Sequence, residues 1–138
     1  MSPRILNDPP LPPGPENAAE VAQALAERML AALGAATDGS GRVNYPRLAA
    51  SGAFAEAIEA ARRLGSISLA TLEARASKLA FWINVYNALV LHGIVALGVR
   101  RSVARVWNFF GRARYRIDGL VFSVDAIEHG VLRGNRRR

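Results

Sequence analysis

Apolar residues between positions 21 and 33 recur at the three- and four-residue spacing of a helix. Those that share one face are Val21, Leu25, Met29, Ala32 and Leu33. Before them, Asn17 and Glu20 have the spacing of a capping box, and Gly34 follows as a stop signal. The pattern predicts an amphipathic helix that begins after Asn17 and ends near Gly34.

Shorter helices are indicated over residues 46–76. Pro46 can open one of them, because proline suits the first turn of a helix. Phe54, Ile58 and Ala61 share a face of a second one that runs to about Leu64. Residues 69–76 are a third helical stretch. A turn signal over residues 38–41 and a short extended piece over residues 42–45 precede all three.

The clearest strand signal lies near the end of the sequence. Residues 115–117 and 120–122 are separated by Asp118 and Gly119, a pair typical of a two-residue hairpin turn. Ser123 then caps a last helix over residues 124–132. The predicted fold is α+β and predominantly helical, with several helices around one central buried helix and one short hairpin.

An uncharged run of 21 residues, 79–99, predicts the central helix. Its apolar side chains point in nearly every direction, which is typical of a helix inside a core. Asn84 and Asn87 nevertheless share one of its faces, with His92 at the edge of that face. An amide removed from water without a partner costs roughly 1–3 kcal/mol. Both asparagines are therefore expected to have hydrogen-bond partners.

Two interpretations of these amides are open. In the structural one, they fasten the helix to backbone groups of neighbouring loops. In the functional one, Asn84 and Asn87 line a pocket in which His92 acts as an acid or base. The run is also long enough to span a bilayer. We favour a buried helix of a soluble domain, because the two amides and the imidazole would each need a partner in hydrocarbon.

A second group of polar residues lies on the predicted last helix. Asp125 and His129 are four residues apart and can interact, as can His129 and Arg133. A histidine near a carboxylate can serve as a general base, although a solvated or capping role fits His129 equally well. The candidates for a pocket or polar core are Asn84, Asn87, His92, Glu128, His129 and Arg133.

Other catalytic sites are not indicated. Ser123, either histidine and Asp118 could be combined into a triad, but the flanking residues do not form a nucleophile elbow. Two histidines at unrelated positions do not predict a metal site, and no cofactor is expected. The chain has no cysteine, which excludes disulfides, thiolate metal sites and a cysteine nucleophile from this polypeptide.

The net charge of +7 comes entirely from residues 100–138, which hold ten arginines and three acidic residues. Such a basic region can attract phosphates. We do not expect nucleic-acid binding, because no aromatic and basic pattern of a known module accompanies the charge. Membrane binding is not expected either.

The N-terminal 15 residues include six prolines and no apolar segment of signal-peptide length. We predict a flexible, Pro-rich tail over residues 1–16 and a single domain over residues 17–138. A cytoplasmic location is the expectation.

Residues 80–92 (AFWINVYNALVLH) and 123–133 (SVDAIEHGVLR) together resemble the family called domain of unknown function 547. Residues 41–45 are similar to that family's short entry strand, and residues 115–122 to its hairpin. The resemblance spans roughly residues 36–135, and it implies a fold class more than a reaction.

Family members continue into a segment that pairs a histidine with a cysteine. The resemblance therefore implies that this chain is the truncated N-terminal portion of such a domain, without catalytic activity of its own. Complete relatives would be His/Cys-dependent hydrolases or transferases. The alternative is a non-catalytic module that binds a protein partner, and a second alternative is a basic nucleic-acid-binding protein. Missing strands would leave an open sheet edge, which favours aggregation.

Overall fold

A computed structural model describes residues 4–98 and 111–132 of the chain. The helices and strands in chain order are β1 (Arg4–Ile5), α1 (Ala18–Ala35), α2 (Tyr45–Ala50), α3 (Gly52–Arg62), two 3-10 turns (Arg63–Ser66 and Leu69–Thr71), α4 (Arg75–Leu97), β2 (Ala113–Ile117), β3 (Leu120–Ser123) and a π-helix (Ala126–Leu132). The fold is α+β and predominantly helical, as the sequence predicts.

The start of α1 confirms the predicted capping box. The Asn17 side chain accepts a hydrogen bond from the Glu20 backbone N–H, and the Glu20 carboxylate accepts one from the Asn17 N–H. These bonds satisfy two backbone donors that the first turn of a helix leaves unpaired. Asn44 caps α2 and Ser51 caps α3 more simply, each with one side-chain oxygen that accepts a hydrogen bond from a backbone N–H of the first turn.

The core lies where α1 packs against α3 on one side and α4 on the other. Leu25, Leu48, Leu64 and Leu89 are fully buried in it. The apolar positions predicted for α1 are mostly buried, but Leu33 is only half-buried. α1 is therefore in contact with both helices, and part of the α1 surface that faces α4 stays open to solvent.

A three-stranded sheet, in the order β1-β2-β3, packs beside the helices. The predicted hairpin is confirmed: β2 and β3 are antiparallel, with Tyr115 opposite Phe122. Asp118 and Gly119 both have positive φ, 51° and 76°, as a tight two-residue turn between twisted strands requires. Within the described residues β3 pairs only with β2, so the open edge exists there, while aggregation stays a prediction.

The N-terminal segment differs from the predicted flexible tail. β1 pairs in parallel with β2, and Asn7 is fully buried. The Asn7 amide donates to the carbonyls of Ala61 and Arg116 and accepts from the Arg116 N–H. The prolines led to the wrong expectation, because an extended proline-rich chain can still be held by backbone bonds at the residues between the prolines.

α4 occupies the central position, in contact with α1, α2, β2 and the π-helix. It ends at Gly98, which has the left-handed φ of 68° common at helix ends. The residues buried in it are Phe81, Val85, Ala88, Leu89, His92 and Gly93. The burial is one-sided, because Leu79 and Ile83 are 52% and 41% exposed. By length and composition alone, this helix could cross a membrane, a test that core helices also pass.

The last described element differs from the predicted α-helix. Ser123 accepts a hydrogen bond from the Ala126 N–H, as expected of a cap, but residues Ala126–Leu132 then form a π-helix. Ile127 is buried against the core, while Glu128 and His129 face outward to different degrees. A π-helix is uncommon and costs backbone hydrogen-bond geometry, so packing by Ile127 and the Tyr86–Glu128 bond must offset it.

Candidate functional site

An open groove between α1 and α4 holds the two asparagines. Its volume is about 260 Å³, and its surface is mainly apolar. The residues that line it are Ala26, Met29, Leu30 and Leu33 from α1, and Asn84, Asn87, Ala88 and Leu91 from α4. Each set extends over eight residues, 26–33 and 84–91, so the groove follows each helix for two turns, about 10 Å.

The amides have a different environment from the one expected. Asn84 is half-buried and Asn87 exposed, and neither amide side chain is hydrogen-bonded to another residue in the part of the chain that the structure describes. Water can satisfy both amides, because the groove is open. The predicted bonds to neighbouring loops are therefore not found among the described residues, and the two amides instead provide polar groups in an apolar groove.

His92 is far from solvent. It is 4% exposed, and its Nδ1 is 2.8 Å from the Tyr115 hydroxyl oxygen. Its ring also meets the Phe54 ring edge-on, with centroids 5.7 Å apart. Burial, together with the nearby Arg4 charge, lowers the pKa of His92 to about 4. The imidazole is therefore neutral at pH 7 and joins α4 to β2, with no access to a solvent-borne substrate.

A second polar cluster lies where α4 meets the π-helix. The Tyr86 hydroxyl donates to a Glu128 carboxylate oxygen over 3.2 Å. His129 Nε2 is 3.9 Å from Asp125 Oδ1, and both side chains are at least half exposed. Burial raises the pKa of Tyr86, and the Glu128 charge raises it further. The cluster thus contains an exposed histidine with a weakly held carboxylate partner.

The structure does not bring all the candidate residues together. Tyr86, which contacts Glu128, is two residues after Asn84 and therefore about 200° around α4 from it. Asn84 and Asn87 belong to the groove, whereas Glu128 and His129 belong to the cluster on the other side of the helix. Arg133 lies outside the described residues. The candidate residues that the structure describes are therefore divided between separate places and do not line one shared pocket.

The residues considered for a triad have separate roles. Ser123 caps the turn before the π-helix, and Asp118 accepts a hydrogen bond from the Leu69 N–H. His92 is held by Tyr115 in the interior. In the described ranges, no group of three or more histidine, cysteine or acidic residues is placed to hold a metal ion.

Sequence reasoning missed two partners in these sites. The sequence places Tyr115 in a strand but gives no link to His92, although Tyr115 lies on the same inward face of β2 as Ala113 and Ile117. Leu30 was left out of the predicted apolar face of α1, and it is 71% exposed at the rim of the groove. The signal available in the sequence was a leucine directly beside Met29, a position of the predicted apolar face.

These features define a small helical α+β domain with an open apolar groove. The family model described as "Protein of unknown function, DUF547" matches residues 69–138, half of the chain, and the chain belongs to this family. The match includes α4, the hairpin and the π-helix, but not α1 or the residue 41–45 segment. A search of curated proteins and a search of solved structures gave no match.

Proposed function

We propose that this chain is a non-catalytic binding module whose α1/α4 groove accepts one amphipathic helix of a protein partner. The observation that carries this proposal is the groove itself. It presents Leu30 and Leu33 beside Asn84 and Asn87, over a length that matches two turns of a helix. Apolar grooves of this form commonly bind the apolar face of a helix, with side chains at i, i+3, i+4 and i+7 as anchors.

The chemistry of the partner follows from the polar groups around the groove. Glu27 precedes Leu30 by one turn of α1 and is exposed, while α4 has no charged residue after Lys78. On the α1 side of the groove, a basic side chain beside the partner's apolar stripe would therefore contact the Glu27 carboxylate. On the α4 side, the same basic side chain would have no charged partner. Asn84 and Asn87 favour a polar group at the matching position, since an unpaired amide covered by an apolar side chain would be costly.

The exposed part of α4 extends this surface. Ile83 and Leu79 are one and two turns before Asn87 and are substantially exposed. Contiguous exposed apolar residues are a common mark of a contact surface. Helix docking would bury Leu30 and Ile83 together, which gives the association a hydrophobic driving force of roughly 1.5–3 kcal/mol for each fully covered side chain.

The test uses a labelled 18-residue amphipathic peptide with leucines at helical spacing and lysines beside them. We expect saturable binding, measured by fluorescence anisotropy. At low salt the Glu27→Gln variant should bind the peptide more weakly than the unmodified chain, and at high salt this difference in affinity should disappear. Sedimentation equilibrium without peptide should show a monomer. Binding to anionic lipid vesicles in place of the peptide, or self-association through the same groove, would contradict the proposal.

A second candidate is a contribution to acid–base chemistry by His129. It is supported by the exposed position of this imidazole near Asp125 and the Tyr86–Glu128 bond. A histidine and a carboxylate of this kind fit a hydrolase or transferase site whose nucleophile comes from another segment or chain. Hydrolysis of an activated phenyl ester that is lost in His129→Gln, but kept in Asn84→Ala, would favour this candidate over the binding module.

A further inference from the structure

A second cleft, separate from the α1/α4 groove, lies between α1 and α3. Its volume is about 520 Å³, within the range of sites for small ligands. Val21 and Ala24 from α1 and Ala60 from α3 provide its apolar part. All its lining residues precede Leu69, so the cleft belongs to the part of the chain that the family model does not match.

The cleft carries charges of both signs at each end. Gly14 lies close to both Glu16 and Arg63, because a Cβ atom there would be 2.9 Å from Glu16 Oε1 and 3.5 Å from Arg63 Nη1. This places Glu16 and Arg63 together where α1 begins and α3 ends. Arg28 is farther along α1 and Glu56 is nearer the start of α3, so these two line the opposite end.

These charges are not neutralised by one another. In the described parts of the chain, the side chains of Glu16, Arg28, Glu56, Glu59 and Arg63 form no ion pair within 4.0 Å. Opposite charges that line one cleft without pairing leave both a cation site and an anion site open. A ligand that carries both charges would satisfy the two together, whereas a simple ion would satisfy only one.

We propose that this cleft binds a short zwitterionic peptide of about three residues. Glu56, near the start of α3, and Arg63, just after its end, are seven residues apart, which along a helix is about 10 Å. Three extended residues span about the same distance. The peptide ammonium would contact a glutamate at one end, and its carboxylate would contact an arginine at the other. The small side chains of Ala24 and Ala60 leave space for the peptide between them.

This proposal does not depend on the proposed function, because the two surfaces share no residue. The ligand class follows from length and charge. A free amino acid could contact the two charges at one end only, whereas a tripeptide can contact a charge at each end, and peptides with blocked termini would lack the charges. Inorganic phosphate could contact an arginine alone, and it is therefore a useful comparison probe.

The experiment is a titration of the full chain with tri-L-alanine, followed by amide chemical shifts. We expect saturable shifts in residues 16–28 and 56–63, with a dissociation constant on the order of 1 mM. N-acetylated, C-amidated trialanine should bind about tenfold more weakly, since each exposed ion pair contributes a factor of roughly two to five. The double variant Arg28→Gln/Arg63→Gln should lose a factor of roughly two to five, because it removes the partner of the peptide carboxylate only.

The control variant is Arg42→Gln, which removes an exposed arginine outside the cleft and should leave the affinity unchanged. Circular dichroism checks that each variant keeps its helix content. Equal binding of free and blocked peptides would overturn the proposal, and so would tighter binding of inorganic phosphate than of trialanine. Absence of shifts up to about 10 mM trialanine would also overturn it.

Discussion

The hydroxyl oxygen of Tyr115 and Nδ1 of His92 are 2.8 Å apart in the interior of the domain. Tyr115 is fully buried in β2, and burial raises the pKa of its hydroxyl, so the hydroxyl keeps its proton and can donate to the neutral imidazole. The bond joins the sheet to α4. It explains how a histidine can lie buried among apolar residues there, because its ring nitrogen has a hydrogen-bond partner.

Tyr115→Phe should destabilise the domain by about 1–3 kcal/mol, because it leaves a buried imidazole nitrogen without its partner. Urea unfolding followed by circular dichroism measures this change. The matched control is Tyr86→Phe, which removes a hydroxyl bonded to Glu128 near the surface and should cost less. A larger loss in Tyr86→Phe than in Tyr115→Phe would show that the buried bond is not a main support of the fold.

The stability of the domain should fall in acid because of His92. Its pKa is about 4 in the folded state and 6.5 in the unfolded chain, so between these values only the unfolded state binds the proton. Stability is full above pH 6.5 and is lost as pH falls towards 4, by about 3 kcal/mol in total at 1.36 kcal/mol per pH unit.

Urea midpoints from pH 7 to pH 4 test this dependence. His92→Gln should flatten the profile in this range, whatever its own stability at pH 7. An unaltered slope in His92→Gln would mean that other groups cause the acid sensitivity.

Asn7→Ala should destabilise the domain strongly. The substitution leaves two carbonyls and one N–H without their partner, and each buried unpaired group costs about 1–3 kcal/mol. Asp8→Ala, which breaks the adjacent ion pair with Arg116 at the surface, should have a small effect. Comparable losses in the two variants, measured by thermal unfolding, would argue against a structural role for the N-terminal segment.

The asparagines of the groove should behave differently from Asn7. Asn84→Ala and Asn87→Ala should change the free energy of unfolding by less than about 0.5 kcal/mol, as is usual for surface positions. Chemical denaturation of each variant gives the value. A loss above about 2 kcal/mol would indicate that these amides have buried partners after all.

The local signals in the sequence predicted much of this fold. The capping box at Asn17, the cap at Ser123 and the Asp118-Gly119 turn act within a few residues, so their geometry follows from the sequence alone. The position of Asn7 depends on contacts with Ala61 and Arg116, more than 50 residues away. No local pattern contains that information, and the prolines around it suggested the opposite.

The candidate site was less predictable for the same reason. Helical spacing correctly put Asn84 and Asn87 on one face of α4, but it could not say whether that face meets a loop, another helix or solvent. Only the packing of α1 against α4 shows that a groove separates them there. The spacing of Asp125 and His129 likewise assumed an α-helix, whereas the segment is a π-helix.

The most direct test of the binding module compares two exposed leucines. Leu30 lines the groove and is 71% exposed, whereas Leu120 is 58% exposed on β3 and does not line it. Neither Leu30→Ser nor Leu120→Ser should unfold the domain, because both side chains are largely in solvent. The measurement is the affinity of each variant for the amphipathic peptide by fluorescence anisotropy.

We predict that Leu30→Ser weakens binding about tenfold or more, as the loss of one buried leucine contact should, and that Leu120→Ser binds like the unmodified chain. Equal affinities in the two variants, or a larger loss in Leu120→Ser, would contradict a docking site between α1 and α4.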